Sequence, residues 1–243
     1  MGEYPLDEVI AAVGGRVLDV NGVPLAADFG DPRAEYDTAA GAAAICDRRD
    51  RGLIEIAGKD RAAWLHNLVT NAVKTLQPGE GNYAFAINAK GRILFDGNIL
   101  VRPDVIWLDI DRRLVAKAMA HMERYHVVED VTLTDRSSEF CRVGLLGPRA
   151  AEIAGALGAT HAGRLPEVGT AQVVLEDRPR LAVRTDFAGV FGLELFVESA
   201  DAAACWRRLL ELGGPGLRPV GRSALEVLRI EAGIPVYDQD IDE

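Results

Sequence analysis

The sequence predicts an α+β fold built by internal duplication. Residues 54–68 (IEIAGKDRAAWLHNL) and 143–157 (VGLLGPRAAEIAGAL) follow one pattern, an apolar strand that turns at a glycine into an amphipathic helix. Each copy continues through three further apolar runs to a second helix. A strand–helix–three-strand–helix unit is therefore used twice.

In the first copy Asp60 stands where it can cap the helix, and Trp64, Leu65 and Leu68 share one helical face. The strands that follow run from Tyr83 to Ile87, Ile93 to Val101 and Val105 to Ile110. A helix beginning near Asp111 then carries Leu114, Val115, Ala118, Met119 and Met122 at three- and four-residue spacing. In the second copy Pro148 suits a helix start, and Ile153, Ala154 and Leu157 repeat the apolar face. Strands from Gln172 to Leu175, Leu181 to Thr185 and Leu193 to Val197 follow. The closing helix starts near Ser199, carries Ala203, Trp206, Leu209 and Leu210, and stops at Gly213-Gly214. Ahead of both copies, Gly30-Asp31-Pro32 marks a turn, and Arg33 to Ala44 reads as a helix with alanines on its packed side.

Composition narrows the function classes. A formal net charge of −10 offers no clustered basic surface for nucleic acid. The pairs Arg48-Arg49, Arg112-Arg113 and Arg207-Arg208 are interleaved with acids and read as solvated surface. Cys46, Cys141 and Cys205 are far apart, and the four histidines are scattered without metal-ligand spacing. Buried, reduced cysteines and no metal are expected. No apolar run is long enough to span a membrane, and Met1 to Asp7 lack a secretory pattern, so a soluble cytoplasmic protein is the expectation. No G-x-G-x-x-G, P-loop or G-x-S-x-G spacing is present.

Four ordered blocks carry a family resemblance: residues 36–71, 78–101 (PGEGNYAFAINAKGRILFDGNILV), 184–197 (RTDFAGVFGLELFV) and 228–242 (LRIEAGIPVYDQDID). Together they resemble the glycine-cleavage T-protein (aminomethyltransferase, GcvT) superfamily, nearest its YgfZ-like folate-binding branch. The resemblance implies a duplicated folate-binding fold of the T-protein type. It divides the chain into a discontinuous first folate-binding subdomain, residues 1–50 and 140–243, and a second, residues 51–139. It also implies a C-terminal β-barrel beyond Glu243, so the chain is expected to be a fragment or a truncated form. The implied cofactor is tetrahydrofolate, as 5,10-methylenetetrahydrofolate or a related reduced folate. The implied partners are that folate and either a lipoyl carrier protein or iron–sulfur proteins, with no nucleic acid and no membrane.

Five residues carry over as folate contacts. Glu194 matches the pterin-binding glutamate, a carboxylate suited to accept both N–H donors on one pterin edge; a solvent-facing strand glutamate is the plainer reading. Asp96 matches the catalytic carboxylate placed near the folate's reactive nitrogens, where it stabilises developing positive charge; an Asp closing a turn is the alternative. Tyr83 matches a tyrosine beside the folate, or else is an ordinary half-buried strand residue. Phe187 stands where many aminomethyltransferases have tyrosine, which keeps stacking and loses a hydroxyl. Asp111 reads equally as a folate contact and as a helix N-cap. Leu225 replaces an arginine that glycine-cleavage enzymes carry, while Arg229, Glu231, Ala232 and Gly233 read as fold support. The resemblance thus implies a tetrahydrofolate-binding YgfZ-like protein acting in iron–sulfur protein maintenance or one-carbon metabolism. An aminomethyltransferase and a degenerate structural relative are the alternatives, and whether the chain is an enzyme stays open.

Overall fold

A computed structural model describes residues 4–20 and 22–241. In chain order, α1 (Asp7–Ala12) leads to the hairpin β1 (Arg16–Val20) and β2 (Val23–Asp28), then α2 (Pro32–Gly41) and β3 (Ala43–Asp47). The first repeat is β4 (Arg51–Ala57), α3 (Arg61–His66), β5 (Gly81–Ile87), β6 (Ile93–Val101), β7 (Ile106–Asp111) and α4 (Val115–Glu123). After β8 (Thr132–Asp135) the second is β9 (Phe140–Leu146), α5 (Ala150–Ala156), β10 (Thr170–Leu175), β11 (Arg178–Arg184), β12 (Gly192–Glu198) and α6 (Ala202–Gly213). The short β13 (Leu217–Pro219) and α7 (Arg222–Glu231) follow.

The chain divides into two compact units. One comprises Met1–Arg49, Glu139–Pro166 and Ala171–Ile234; the other comprises Asp50–Ser138, Glu167–Thr170 and Pro235–Glu243. Their sheets run β10-β11-β12-β9-β3-β13 and β5-β6-β7-β4-β8, so the duplication appears as one shared strand order. In both, the opening strand of the repeat (β9 or β4) sits inside the sheet. Its neighbours are the closing strand (β12 or β7) and the strand that precedes the other repeat in the chain (β3 or β8).

Side-chain alternation sends one face of each sheet into a core. In the first unit Val143, Leu145, Leu193, Leu195 and Val197 pack with Ile153 of α5 and Trp206 and Leu209 of α6. In the second, Ile54, Ile56, Phe95, Ile99, Leu108 and Ile110 pack with Trp64, Leu65, Ala118 and Met122. Both helical faces expected from the repeats are thus buried. The opposite face of the first unit's sheet carries a smaller apolar cluster, with Ala44, Cys46 and Leu146 under Ala39 of α2 and Leu228 of α7.

Three local expectations need correction. The helix over residues 33–44 ends at Gly41, and Ala43 and Ala44 belong to β3, where burial on both faces suits small side chains. Its start is fixed by Asp31, whose carboxylate accepts from the amides of Arg33 and Ala34 at 3.1 Å each. Asp60 stands at the N-cap of α3 but makes no side-chain cap there. Its carboxylate accepts from the Asp130 amide at 2.9 Å, tying the helix start to the loop before β8. Finally, Arg48 and Arg49 are not solvated. Arg49 is 2% exposed, ion-paired to Asp47 and, at 2.6 Å, to Asp7, with its guanidinium 3.9 Å above the Tyr4 ring. The adjoining acids that suggested a solvated face are in part its buried partners.

Candidate functional site

In the second unit the strand period sends Ala84 and Ala86 of β5 to the core and Tyr83 and Phe85 to the other face. Asp96 of β6 stands opposite Phe85 and Asn98 stands opposite Tyr83. The Tyr83 hydroxyl donates to Asp96 Oδ2 at 2.6 Å, and its ring meets Phe85 edge-on at 5.2 Å. Tyr83 keeps 40% of its surface exposed, so the pair is reachable from solvent. Burial of the phenol, and next its bond to Asp96, push the Tyr83 pKa well above the ordinary value. The phenol therefore stays neutral and donating through the physiological range.

The polar row continues along this face onto a residue the sequence did not single out. Asp109 of β7, only 2% exposed, accepts from Asn98 at 3.2 Å and from Arg51 Nη2 at 3.0 Å. Arg51 also donates to the Asp109 carbonyl at 2.7 Å. In the sequence Asp109 is one acid in a DID run, with no spacing to mark it. Asp111, two residues on, accepts from the Arg113 amide at 2.8 Å and pairs with its guanidinium at 2.7 Å. Its capping role is thus realised in the short turn that opens α4.

In the first unit Glu194 lies on β12, a central strand, between Val183 of β11 and Gly144 of β9. It points away from the core that takes Leu193 and Leu195, yet it is 2% exposed. The solvent-facing reading of this glutamate is therefore wrong, because the sheet is covered on both faces. Its Oε1 lies 2.8 Å from Nη1 of Arg48, which follows β3. The Arg48 guanidinium in turn sits 4.0 Å from the centroid of the Phe187 ring.

The loop between β11 and β12 sets Phe187. Asp186 accepts from the Gly192 amide at 3.1 Å, and the Gly189 amide donates to the Asp186 carbonyl at 2.8 Å. Gly189 has φ +72°, and a side chain there would run into Ala232 Cβ at 2.1 Å, so glycine is required. Leu225 lies in the apolar cluster with Phe187, Tyr36 and Val190. Arg229, from the same helix, pairs with Glu226 and donates to the Ile234 carbonyl at 3.1 Å, a fold-supporting role.

The structure therefore brings Tyr83 and Asp96 together in one unit, and Phe187 and Glu194 together through Arg48 in the other. Arg48, like Asp109, is a neighbour of the candidate residues that the sequence did not single out. Among the described residues no cluster of histidine, cysteine, aspartate and glutamate is arranged to hold a metal ion. No helix among them is long and apolar enough to cross a membrane.

The family model for the GCVT N-terminal domain matches residues 6–243. The chain belongs to this family. An aminomethyltransferase from Bacillus cereus (strain AH187) is 32% identical over 249 residues, 98% of this chain and 66% of the relative. Another from Bacillus anthracis (strain CDC 684 / NRRL 3495) is 31% identical over the same shares. The chain thus spans 66% of the length of these aminomethyltransferases. The glycine cleavage system aminomethyltransferase T from Bartonella henselae superposes with a TM-score of 0.87 at 20% identity. That match covers 98% of this chain and 64% of that one. A chain of the heterotetrameric sarcosine oxidase from Corynebacterium sp. U-96 gives a TM-score of 0.57 at 13% identity, covering 87% of this chain and 94% of that one. At such identities the two structures establish the shared fold. Membership of the GCVT N-terminal domain family thus agrees with the α+β duplication and with the resemblance read from the four sequence blocks.

Proposed function

We propose that the chain binds tetrahydrofolate, with Tyr83, Asp96, Phe187 and Glu194 as its folate contacts: a carboxylate for the one-carbon chemistry in Asp96 and a pterin acceptor in Glu194. The observation that carries this reading is the Tyr83–Asp96 pair, a 2.6 Å phenol–carboxylate bond on a solvent-reachable sheet face. That pair fits a reduced folate: a carboxylate acceptor held in place by a neutral phenol, with an aromatic ring beside it. Glu194 supplies the buried acceptor and Phe187 the stacking surface that a pterin requires. Asp111, occupied by Arg113, serves as the cap in this assignment.

Bound tetrahydrofolate supplies nitrogens that accept a one-carbon unit. Near them, Asp96 stabilises positive charge that develops during transfer, and the Tyr83 hydroxyl fixes which carboxylate oxygen faces the reaction. Two branches share this site. The names of the relatives favour an aminomethyltransferase, in which the one-carbon unit of an aminomethyl group on a lipoyl carrier passes to the folate, its nitrogen leaving as ammonia and the lipoyl sulfur as a free thiol. Leu225 favours the YgfZ-like branch, a cytoplasmic folate-dependent factor in iron–sulfur protein maintenance or one-carbon metabolism. An apolar side chain occupies the place of an arginine there, packed against the same apolar cluster as Phe187.

Anaerobic titration with tetrahydrofolate tests the shared reading. The wild-type chain is expected to bind, and Asp96→Asn and Glu194→Ala to weaken binding at least tenfold. Equal binding by all three would sink the site assignment. Ammonia release from an aminomethyl-lipoyl carrier, measured on the whole protein, separates the two branches.

A further inference from the structure

The first unit already contains a guanidine group where the pterin edge is expected. Arg48 Nη1 is ion-paired with Glu194 Oε1 at 2.8 Å, and the guanidinium stacks 4.0 Å from the Phe187 centroid. The Arg48 side chain is 11% exposed and that of Glu194 is 2% exposed, so the pair is shielded from water. These are the two interactions a pterin would seek in this place: N–H donors against a carboxylate, and a flat face against an aromatic ring. The likeness is chemical as well as geometric. The ring nitrogen, C2 and 2-amino group of a pterin form a cyclic guanidine, with the donor spacing of an arginine fork.

The backbone beneath gives the guanidinium its path. Gly144 separates Cys46 from Glu194 in the sheet register. A Cβ on Gly144 would lie 3.3 Å from Arg48 Cγ and 3.0 Å from Phe187 Cζ. Without a side chain there, Arg48 crosses the strand flat and reaches the carboxylate one strand further in.

We propose that Arg48 is an internal occupant of the pterin half of the site, a plug that folate must displace before it engages Glu194. The proposal rests on the reading of Glu194 and Phe187 as folate contacts. A buried carboxylate is costly to strip of its partner, so a displacing ligand must present N–H donors to Glu194 in place of those Arg48 withdraws. The released guanidinium regains water. The apparent affinity is then the intrinsic affinity reduced by the fraction of chains in which Arg48 has swung out. Arg48 is thus a residue that sets affinity and selects for ligands presenting a guanidine-like edge.

The test compares anaerobic tetrahydrofolate titrations of wild type, Arg48→Gln and Glu194→Ala, with folding checked by circular dichroism. Arg48→Gln is expected to bind about tenfold tighter or more, and Glu194→Ala to lose binding. Stopped-flow mixing supplies a readout on the unaltered chain. The wild-type association rate should level off at high folate, limited by departure of Arg48, and the Arg48→Gln rate should climb linearly. Unchanged or weaker binding by Arg48→Gln, with Glu194→Ala still defective, overturns the plug and leaves the folate reading standing. A wild-type rate that stays linear overturns the plug even where the variant fails to fold. No binding by either wild type or Arg48→Gln overturns the folate reading, and the plug with it.

Discussion

Substituting Gly144 by alanine probes the packing under Arg48 and Phe187 without touching a charge. The added Cβ would stand 2.5 Å from Cys46 Sγ and 3.0 Å from Phe187 Cζ. The first separation is too short for any Cβ to keep, so the sulfur or the strand must move. Overpacking of this kind costs about 1–3 kcal/mol. Against it stands the lower chain entropy of alanine in the unfolded state, about 0.4–1 kcal/mol in favour of the variant. Gly144 is in an ordinary strand, outside the left-handed region, so backbone strain adds nothing. The clash wins, and Gly144→Ala should lower the thermal midpoint by about 2–4 °C for each net kcal/mol lost.

The decisive measurement is the double mutant. Cys46→Ala removes the nearest atom and by itself costs about 1 kcal/mol of buried surface. Combined with Gly144→Ala it leaves room for the new methyl. The pair should then be more stable than the sum of its singles by about 0.5–3 kcal/mol, because the two residues share one contact. Thermal unfolding followed by near-ultraviolet circular dichroism reads all four proteins. Simple additivity, or a neutral Gly144→Ala, would refute the account of a close-packed floor beneath Arg48.

Three further outcomes can be checked on the same material. A difference titration of tyrosinate absorbance, wild type minus Tyr83→Phe, should show Tyr83 ionising only above about pH 10, since burial and Asp96 raise its pKa. The sign follows: this phenol contributes fully below its unfolded value, and the contribution is lost as pH rises past it. Histidine NMR should separate two shifted rings. His126 titrates above its ordinary value because it bonds the Glu129 carbonyl and Glu123, so its contribution holds below about pH 6.5 and fades as pH rises through the raised value. His121 titrates below it because of burial, and stability is lost as pH falls through the ordinary value; reversed shifts would contradict the described contacts. All three cysteines are buried, and burial pushes the Cys205 thiol up to about 11. A disulfide-exchange reagent at pH 8 should therefore modify none in the native chain and three after unfolding.

The repeats were legible because each draws its core from local periodicity. Ile153, Ala154 and Leu157, or Leu114, Val115, Ala118 and Met122, announce one helical face within a dozen residues. The end of α2 was not legible, because the run from Ala39 to Ala44 has no period: alanine fits a helix and a strand covered on both faces equally. The β1–β2 hairpin carries the Asn21-Gly22 turn signal, but β1 is nearly all exposed and lacks the apolar alternation that would have marked it. Tyr83, Asp96 and Glu194 came from the family resemblance, since alternation along GLELF cannot say whether the glutamate's face is open or covered. Arg48 escaped for a different reason. An Arg-Arg pair among acids looks solvated, and its partner is supplied by a strand far along the chain.

The duplication itself explains how that partner came within reach. In both units an Asp-Arg pair stands at the end of the strand paired with the repeat's opening strand: Asp47-Arg48 after Cys46, and Asp135-Arg136 after Thr134. Cys46 stands beside Gly144, and Thr134 stands beside Glu55 at the corresponding place in the other repeat. Arg136 finds its carboxylate on that adjacent strand, 2.9 Å away in Glu55, which also accepts from the Trp107 indole at 3.1 Å. In the first unit the adjacent residue is glycine, and the arginine continues to Glu194 on the strand that corresponds to Trp107's. The two triads, Arg136–Glu55–Trp107 and Arg48–Glu194–Phe187, thus each set an arginine, a glutamate and an aromatic ring together, with the carboxylate moved by one strand and the ring bonding the glutamate in one and stacking on the arginine in the other. Their surroundings differ more than their chemistry. The Arg136 and Glu55 side chains are 34% and 17% exposed, a setting in which water can replace either partner and the pair adds little. Glu194, at 2%, has no such recourse. A carboxylate that dry must be handed from one N–H donor set to another, which makes the first unit's triad, and not the second's, the one suited to exchange an arginine for a ligand.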